Sequence, residues 1–116
     1  MPQYLVAIHH PDDFDPSVVT EAMVRDINVL NEEMDAAGVR LFAGGLSAAS
    51  DARSLRALPD GKVLVTDGPY LETKEHVGGF ILIEATGMDE ALEIAAGIPL
   101  AKLGSIEVRP VMRITV

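Results

Sequence analysis

The run Phe80-Ile81-Leu82-Ile83-Glu84-Ala85 constrains the fold more than any other stretch, because its apolar side chains fall on both of the faces that a strand presents. A strand of that kind must be covered on both sides, and only Glu84 interrupts it. Gln3-Tyr4-Leu5-Val6-Ala7-Ile8 has the same two-sided character. The remaining patterns predict the order strand, helix, strand, hairpin, strand, helix, strand. That order describes an α+β sheet whose two helices cover one face and leave the other in need of a lid. The simplest lid is a second copy of the same sheet, giving a homodimer with a pocket between the sheets or at their mouth.

The elements are punctuated by residues with local mechanisms. Asp15 followed by Pro16 predicts the start of the first helix, with the carboxylate as N-cap and proline at the first helical position. Its apolar stripe runs through Val19, Met23, Ile27, Leu30, Met34 and Ala37, and Gly38 suits a left-handed C-terminal cap. Val39–Ala43 reads as the second strand, running into Gly44-Gly45, and Ser47–Asp51 as a loop. Ser54–Leu58 and Lys62–Thr66 flank Pro59-Asp60-Gly61, a turn in which proline sets the first φ and glycine can take the bulge position. Thr86-Gly87-Met88-Asp89 has the spacing of a capping box before a short helix from about Asp89 to Ala96, with Ala91, Leu92 and Ala95 on its buried side and Gly97 and Pro99 ending it. Ser105–Val116 alternates as a last strand, and Pro110 within it implies an edge or a bulge.

Length and charge narrow the function classes. At 116 residues the expectation is one domain spanning 1–116. The 48% hydrophobic content is high for a small monomer and points to apolar surface covered by a partner. A net charge of −9 argues against nucleic acid or an anionic membrane as partner, since both need a positive footprint. The absence of cysteine excludes disulfides and thiolate chemistry. The first residues lack a basic segment followed by an apolar run, which makes the cytoplasm the expected location.

The densest chemistry lies between Val65 and Ala85. Asp67-Gly68-Pro69 is a turn in which Pro69 restricts Gly68 and Asp67 can accept backbone N–H groups. Glu72, Thr73, Lys74, Glu75 and His76 then crowd charge-pairing and proton-handling groups ahead of Val77-Gly78-Gly79. Asp67 and Glu84 are the candidate proton carriers, either one as a carboxylate poised beside a cation or raised in pKa by burial. Lys74 and Arg109 are the candidate grip on a small anionic ligand, with Glu72 and Glu107 beside them. Tyr70 can orient a ligand through its hydroxyl, and His10 stands at the end of the first strand, where barrel mouths place functional groups. Each also has a structural reading: Asp67 as a turn cap, Glu84 or Glu107 as a cross-strand partner of Arg109, Tyr70 as a packing anchor, His10 as a loop residue before Pro11. The adjacent His9 and His10 point opposite ways on an extended chain, so no metal site and no cofactor is expected.

These motifs resemble the signature of the YCII-related, or DGPF-domain, family. Asp67-Gly68-Pro69-Tyr70, Glu72-Thr73-Lys74-Glu75, Gly78-Gly79 and Glu84 stand in its order, and Tyr4-Leu5, Gly45-Leu46, Ile98-Pro99 and Glu107–Val111 extend the likeness to both ends. The resemblance implies a ferredoxin-like fold of the dimeric α+β barrel kind. It makes Gly68 and Pro69, with the polar residues above, the expected ligand-facing turn. It also implies an association with sigma-factor systems for some members. Smaller members of the superfamily pair a histidine on the first helix with an aspartate before a proline after the second; here Asp26, Ile27 and Asn28 occupy the helix positions and Ile98 precedes Pro99, so that pair is absent. A small-molecule-binding homodimer is the first reading. An acid–base enzyme acting on a small organic acid or enol and a purely structural or regulatory dimer are the alternatives.

Overall fold

The computed structural model describes residues 1–102 and 104–112. Its strands are β1 (Gln3–Pro11), β2 (Arg40–Gly45), β3 (Arg53–Ala57), β4 (Val63–Asp67), β5 (Glu75–Glu84) and β6 (Ser105–Pro110), and its α-helices are α1 (Glu21–Ala36) and α2 (Met88–Ala96). β2, β5, β1 and β6 lie side by side in that order, all antiparallel, while β3 and β4 pair only with each other. The four-stranded sheet with its two crossover helices is the α+β, ferredoxin-like arrangement expected. The two strands that read as apolar on both faces, β1 and β5, occupy its centre.

One face of this sheet carries the core. Tyr4, Val6 and Ile8 of β1 sit beside Ile83, Ile81 and Gly79 of β5, and Met34, Ala91, Ala95 and Ile98 close over them. The other face presents Leu5, Ala7, Phe80, Leu82 and Phe42, with Glu107 and Arg109 opposite Ala7 and Leu5. The Phe42 and Phe80 rings lie 5.7 Å apart, and Phe42 remains 59% exposed. Pro110 lies on the edge strand β6, where its missing N–H interrupts no ladder. The last strand was expected to run to Val116; it ends at Pro110, Met112 is exposed, and residues 113–116 lie outside the described part.

The first helix starts later than Asp15-Pro16 suggested. The Asp15 carboxylate accepts the Ser17 N–H, and this caps only a short 3-10 turn over Pro16–Val18. Thr20 is the true N-cap, its hydroxyl accepting the Met23 N–H. At the far end Val39 N–H reaches the Met34 carbonyl and Gly38 N–H the Asp35 carbonyl, with Gly38 at φ +69°, which is the double bond pattern of a Schellman cap. An Arg40–Asp35 pair at 2.6 Å closes the same corner and holds the Asp35 carboxyl below its usual range. The second helix departs in two details. Gly87 rather than Thr86 takes the N-cap position, Thr86 bonding to Glu90 instead, and Leu92 is exposed where Ala91 and Ala95 are buried.

Because β2 and β5 pair directly, Gly45 facing Gly79, everything between them must leave the sheet and return. That excursion contains the β3–β4 hairpin, closed as expected by Pro59-Asp60-Gly61 with Gly61 at φ +83°. It returns through Gly68, at φ +94°, whose N–H bonds to the Ala52 carbonyl while its own carbonyl accepts the Ser54 hydroxyl. The turn is therefore tied by backbone and Ser54; the Asp67 carboxylate faces solvent.

Candidate functional site

The ends of three segments converge where β1 finishes, β2 has just ended and β5 begins. β1 shifts register between Ile8 and His9, and this irregularity sets His10 opposite His76 and Pro11 opposite Glu75. The segment after β1 turns back to place Phe14 against His10, ring centroids 4.3 Å apart and nearly parallel. The Ser47–Ser50 loop forms one wall and Pro69 of the glycine turn another. Together they enclose a cleft of about 630 Å³, a size typical of small-molecule sites.

His76 is the best-fixed side chain in it. Its Nδ1 lies 2.6 Å from Asp12 Oδ1 and its Nε2 3.1 Å from the Leu71 carbonyl oxygen. A carboxylate and a carbonyl only accept, so both contacts are hydrogen bonds only when both ring nitrogens carry protons. The Thr73 hydroxyl, 3.2 Å from Nε2, donates its own proton to the Glu75 carbonyl and must accept from the ring as well. Both contacts, to Asp12 and to the Leu71 carbonyl, therefore favour the protonated ring. The Asp12 hydrogen bond, followed by that to Leu71, raises its pKa above the ordinary histidine value near 6.5. The Asp12 N–H also bonds to the Lys74 carbonyl at 2.9 Å, so the 71–76 segment is stitched to the end of β1 at several points.

His10 is placed by an absence. A Cβ on Gly78 would come within 2.4 Å of His10 Cδ2, so the imidazole occupies the space a side chain there would fill. Nδ1 is buried with no hydrogen-bond partner among the described residues. Nε2 lies 3.4 Å from where that Cβ would stand, and His10 and Gly78 both line the cleft.

The residues singled out from the sequence fall into three groups. His10 and Pro69 line the cleft, with Gly68 adjoining it. Asp67 is nearly fully exposed at the end of the hairpin, 3.7 Å from Arg53; Tyr70 is exposed with the Arg56 guanidinium 5.8 Å from its ring centre, and Glu72 and Lys74 are exposed on the returning segment. Glu84, Glu107 and Arg109 lie on the uncovered face of the main sheet, where Glu107 and Arg109 approach to 3.9 Å, both exposed. The Asp12–His76 pair was not among the candidates. The two residues are far apart in sequence, and the β1–β5 register brings them together; the one available signal was that Asp12 and His76 lie next to the two strands read as apolar on both faces.

Comparison with known proteins decides the family. Residues 3–115 match the YCII-related domain. The chain belongs to that family. An uncharacterized protein of Rhizobium meliloti (strain 1021) is 37% identical over 92 residues, covering 78% of this chain and 73% of the relative. In this YCII-related domain, then, the DGP turn and the Gly-Gly pair have visible tasks. Pro69 walls the cleft, Gly78 admits the His10 ring, and Gly79 lets β5 cross beside Gly44, whose carbonyl oxygen would stand 3.3 Å from a Cβ there. A histidine–aspartate pair does form among the described residues, Asp12 with His76, and it joins β5 to the end of β1. Among the described residues, no helix is long and apolar enough to cross a membrane.

Proposed function

We propose that this YCII-related domain binds a small organic acid in the cleft between His10, the Asp12–His76 pair and the Ser47–Ser50 loop, and does so as a homodimer. The observation that carries the reading is the His76 ring, fixed in the cleft wall by Asp12 and the Leu71 carbonyl, whose contacts raise its pKa. The same wall offers the Phe14 ring and two serines. In this reading His10, which lines the cleft, contacts the ligand directly. The homodimer is supported by the uncovered sheet face, where Phe42, Phe80, Leu82 and Leu5 form an apolar surface that a second copy can cover. A stable pairing there needs roughly 1,000 Å² or more of buried surface.

The acid–base alternative draws on the same pair. A His76 ring with a raised pKa can serve as a proton donor, and release of the Leu71 contact would free Nε2 to do so. The test of binding is a thermal-shift screen against small carboxylates and enols, read beside the mass in solution. A ligand at about a hundredfold excess over its Kd adds roughly 2.7 kcal/mol of apparent stability. His10→Ala is expected to abolish the shift while leaving the fold. An unchanged shift in that variant removes the cleft from consideration, and a monomeric mass at micromolar concentration removes the paired sheets.

A further inference from the structure

Another cavity, also lined by His10, lies beneath α1. The α1 stripe keeps helical spacing, yet only Met34 is buried, while Ile27 and Leu30 stay partly open. The cause is below them. Where β2 and β5 pass under this half of the helix they carry Gly45 opposite Gly79, so no side chain rises to meet the helix. A Cβ on Gly45 would find no atom nearer than the Gly78 carbonyl oxygen at 4.0 Å. What remains is a slot of about 350 Å³ walled by Ile8, Ile27, Leu30, Ile81 and Ile98, with Asn31 and His10 as its polar side chains. Its walls are hydrocarbon, and it is larger than the roughly 150 Å³ apolar cavity that holds a benzene.

The slot and the cleft share His10 and Gly78. The two compartments therefore meet at the imidazole seated over Gly78, the polar one and the apolar one adjoining there. We infer that the ligand spans both: a medium-chain carboxylic acid, its head beside His10 and His76 and its hydrocarbon chain in the glycine-floored slot under α1. This deepens the reading above and rests on it. The class follows from chemistry. Each methylene taken from water into a hydrocarbon wall tightens binding about fourfold, so a slot of this composition rewards chain length, while a protonated His76 ring and the His10 ring reward an anionic head.

The test is a chain-length series of acetate, butyrate, hexanoate and octanoate, each below its micelle concentration, titrated into the full chain and followed by NMR of isoleucine and leucine methyls and histidine rings. Affinity is expected to rise roughly tenfold or more with each two-carbon step, with octanoate shifting the Ile8, Ile27, Leu30 and Ile81 methyls. Gly45→Val fills the slot from the sheet and Ile27→Phe from the helix. Either, once shown folded by its spectrum, is expected to flatten the series to within about twofold of the butyrate value. If acetate moves the His10 and His76 ring signals but longer acids bind no tighter, the slot plays no part and this inference falls while the cleft reading stands. If octanoate instead shifts Leu82 or the hairpin leucines, the slot is again excluded. If no acid moves either ring, both readings fall together.

Discussion

The helix-covered face of the main sheet and the β3–β4 hairpin are made of much the same residues and end at opposite extremes. Val6 and Ile83 are fully buried, whereas Leu55 is 67% and Val63 59% exposed, with Leu64 and Val65 close behind. Residue type does not separate them; position in the chain does. β1 and β5 are drawn into the centre because crossover helices follow each of them and fold back on one face. The hairpin is inserted between two strands that pair directly, so it can only project beyond the end of the sheet. A two-stranded ribbon with apolar residues on both sides is marginal in water by itself. Its stability comes from its ends, where Ser54, Ala52 and Gly68 tie it to the turn beside the cleft. Apolar content therefore reports that a surface has a use for a cover, and topology decides which elements receive one from their own chain.

The contrast is sharpest at Ile83. Ile83→Ala removes a side chain with no exposure and no room for the core to collapse, and is expected to cost about 2–5 kcal/mol in a urea or guanidinium titration. A loss under 1 kcal/mol would mean that the two regions are less different than their burial suggests. Gly78→Ala comes next. Its methyl would displace His10 from where the two compartments meet, with an expected cost of about 1–3 kcal/mol and a change in the His10 ring shifts.

A smaller effect concerns the tie between residues 71–76 and the end of β1. His76 is raised in pKa in the folded chain by Asp12 and by the Leu71 carbonyl, with Thr73 as the remaining facing group. Its contribution is therefore fully present below about 6.5, the unfolded value, and is lost as pH rises through the folded pKa. Melting temperature is expected to decline across that window in the wild type and to flatten there in His76→Gln. An identical decline in both would assign it to other groups. The smallest effect is on the arm itself: Leu55→Ser is expected to change unfolding stability by no more than about 0.5 kcal/mol in dilute solution. A larger loss would show that the hairpin is covered after all.

Much of this layout was legible. Strands apolar on both faces announce the centre of a sheet, and Gly38, Pro59-Asp60-Gly61 and Pro110 mark a cap, a turn and an edge through mechanisms confined to a few neighbouring residues. What was not legible depends on longer distances or on competition between equals. Asp15-Pro16 and Thr20 are both good helix starts, and the chain uses the first for a single 3-10 turn. Asp12 meets His76 only because β1 slips register between Ile8 and His9, and no local pattern encodes that slip. The apolar slot was hidden for a related reason: the helix stripe is visible in the sequence, but the glycines that fail to meet it lie on two other elements.

The placement of β1 also governs how the molecule can be assembled in time. Val6 faces Ile81 on one side and Val108 on the other. The first strand made is thus the last to be completed, since its partners come from the later part of the chain. Such non-local pairing carries a loop-closure cost before any contact rewards it, and it slows folding relative to a protein built from neighbouring hairpins. During synthesis the Gln3–Ile8 segment must wait, apolar on both faces and unpaired along both edges. Until β5 and β6 are available it exposes apolar surface and open strand edges, the kind of surface that promotes aggregation.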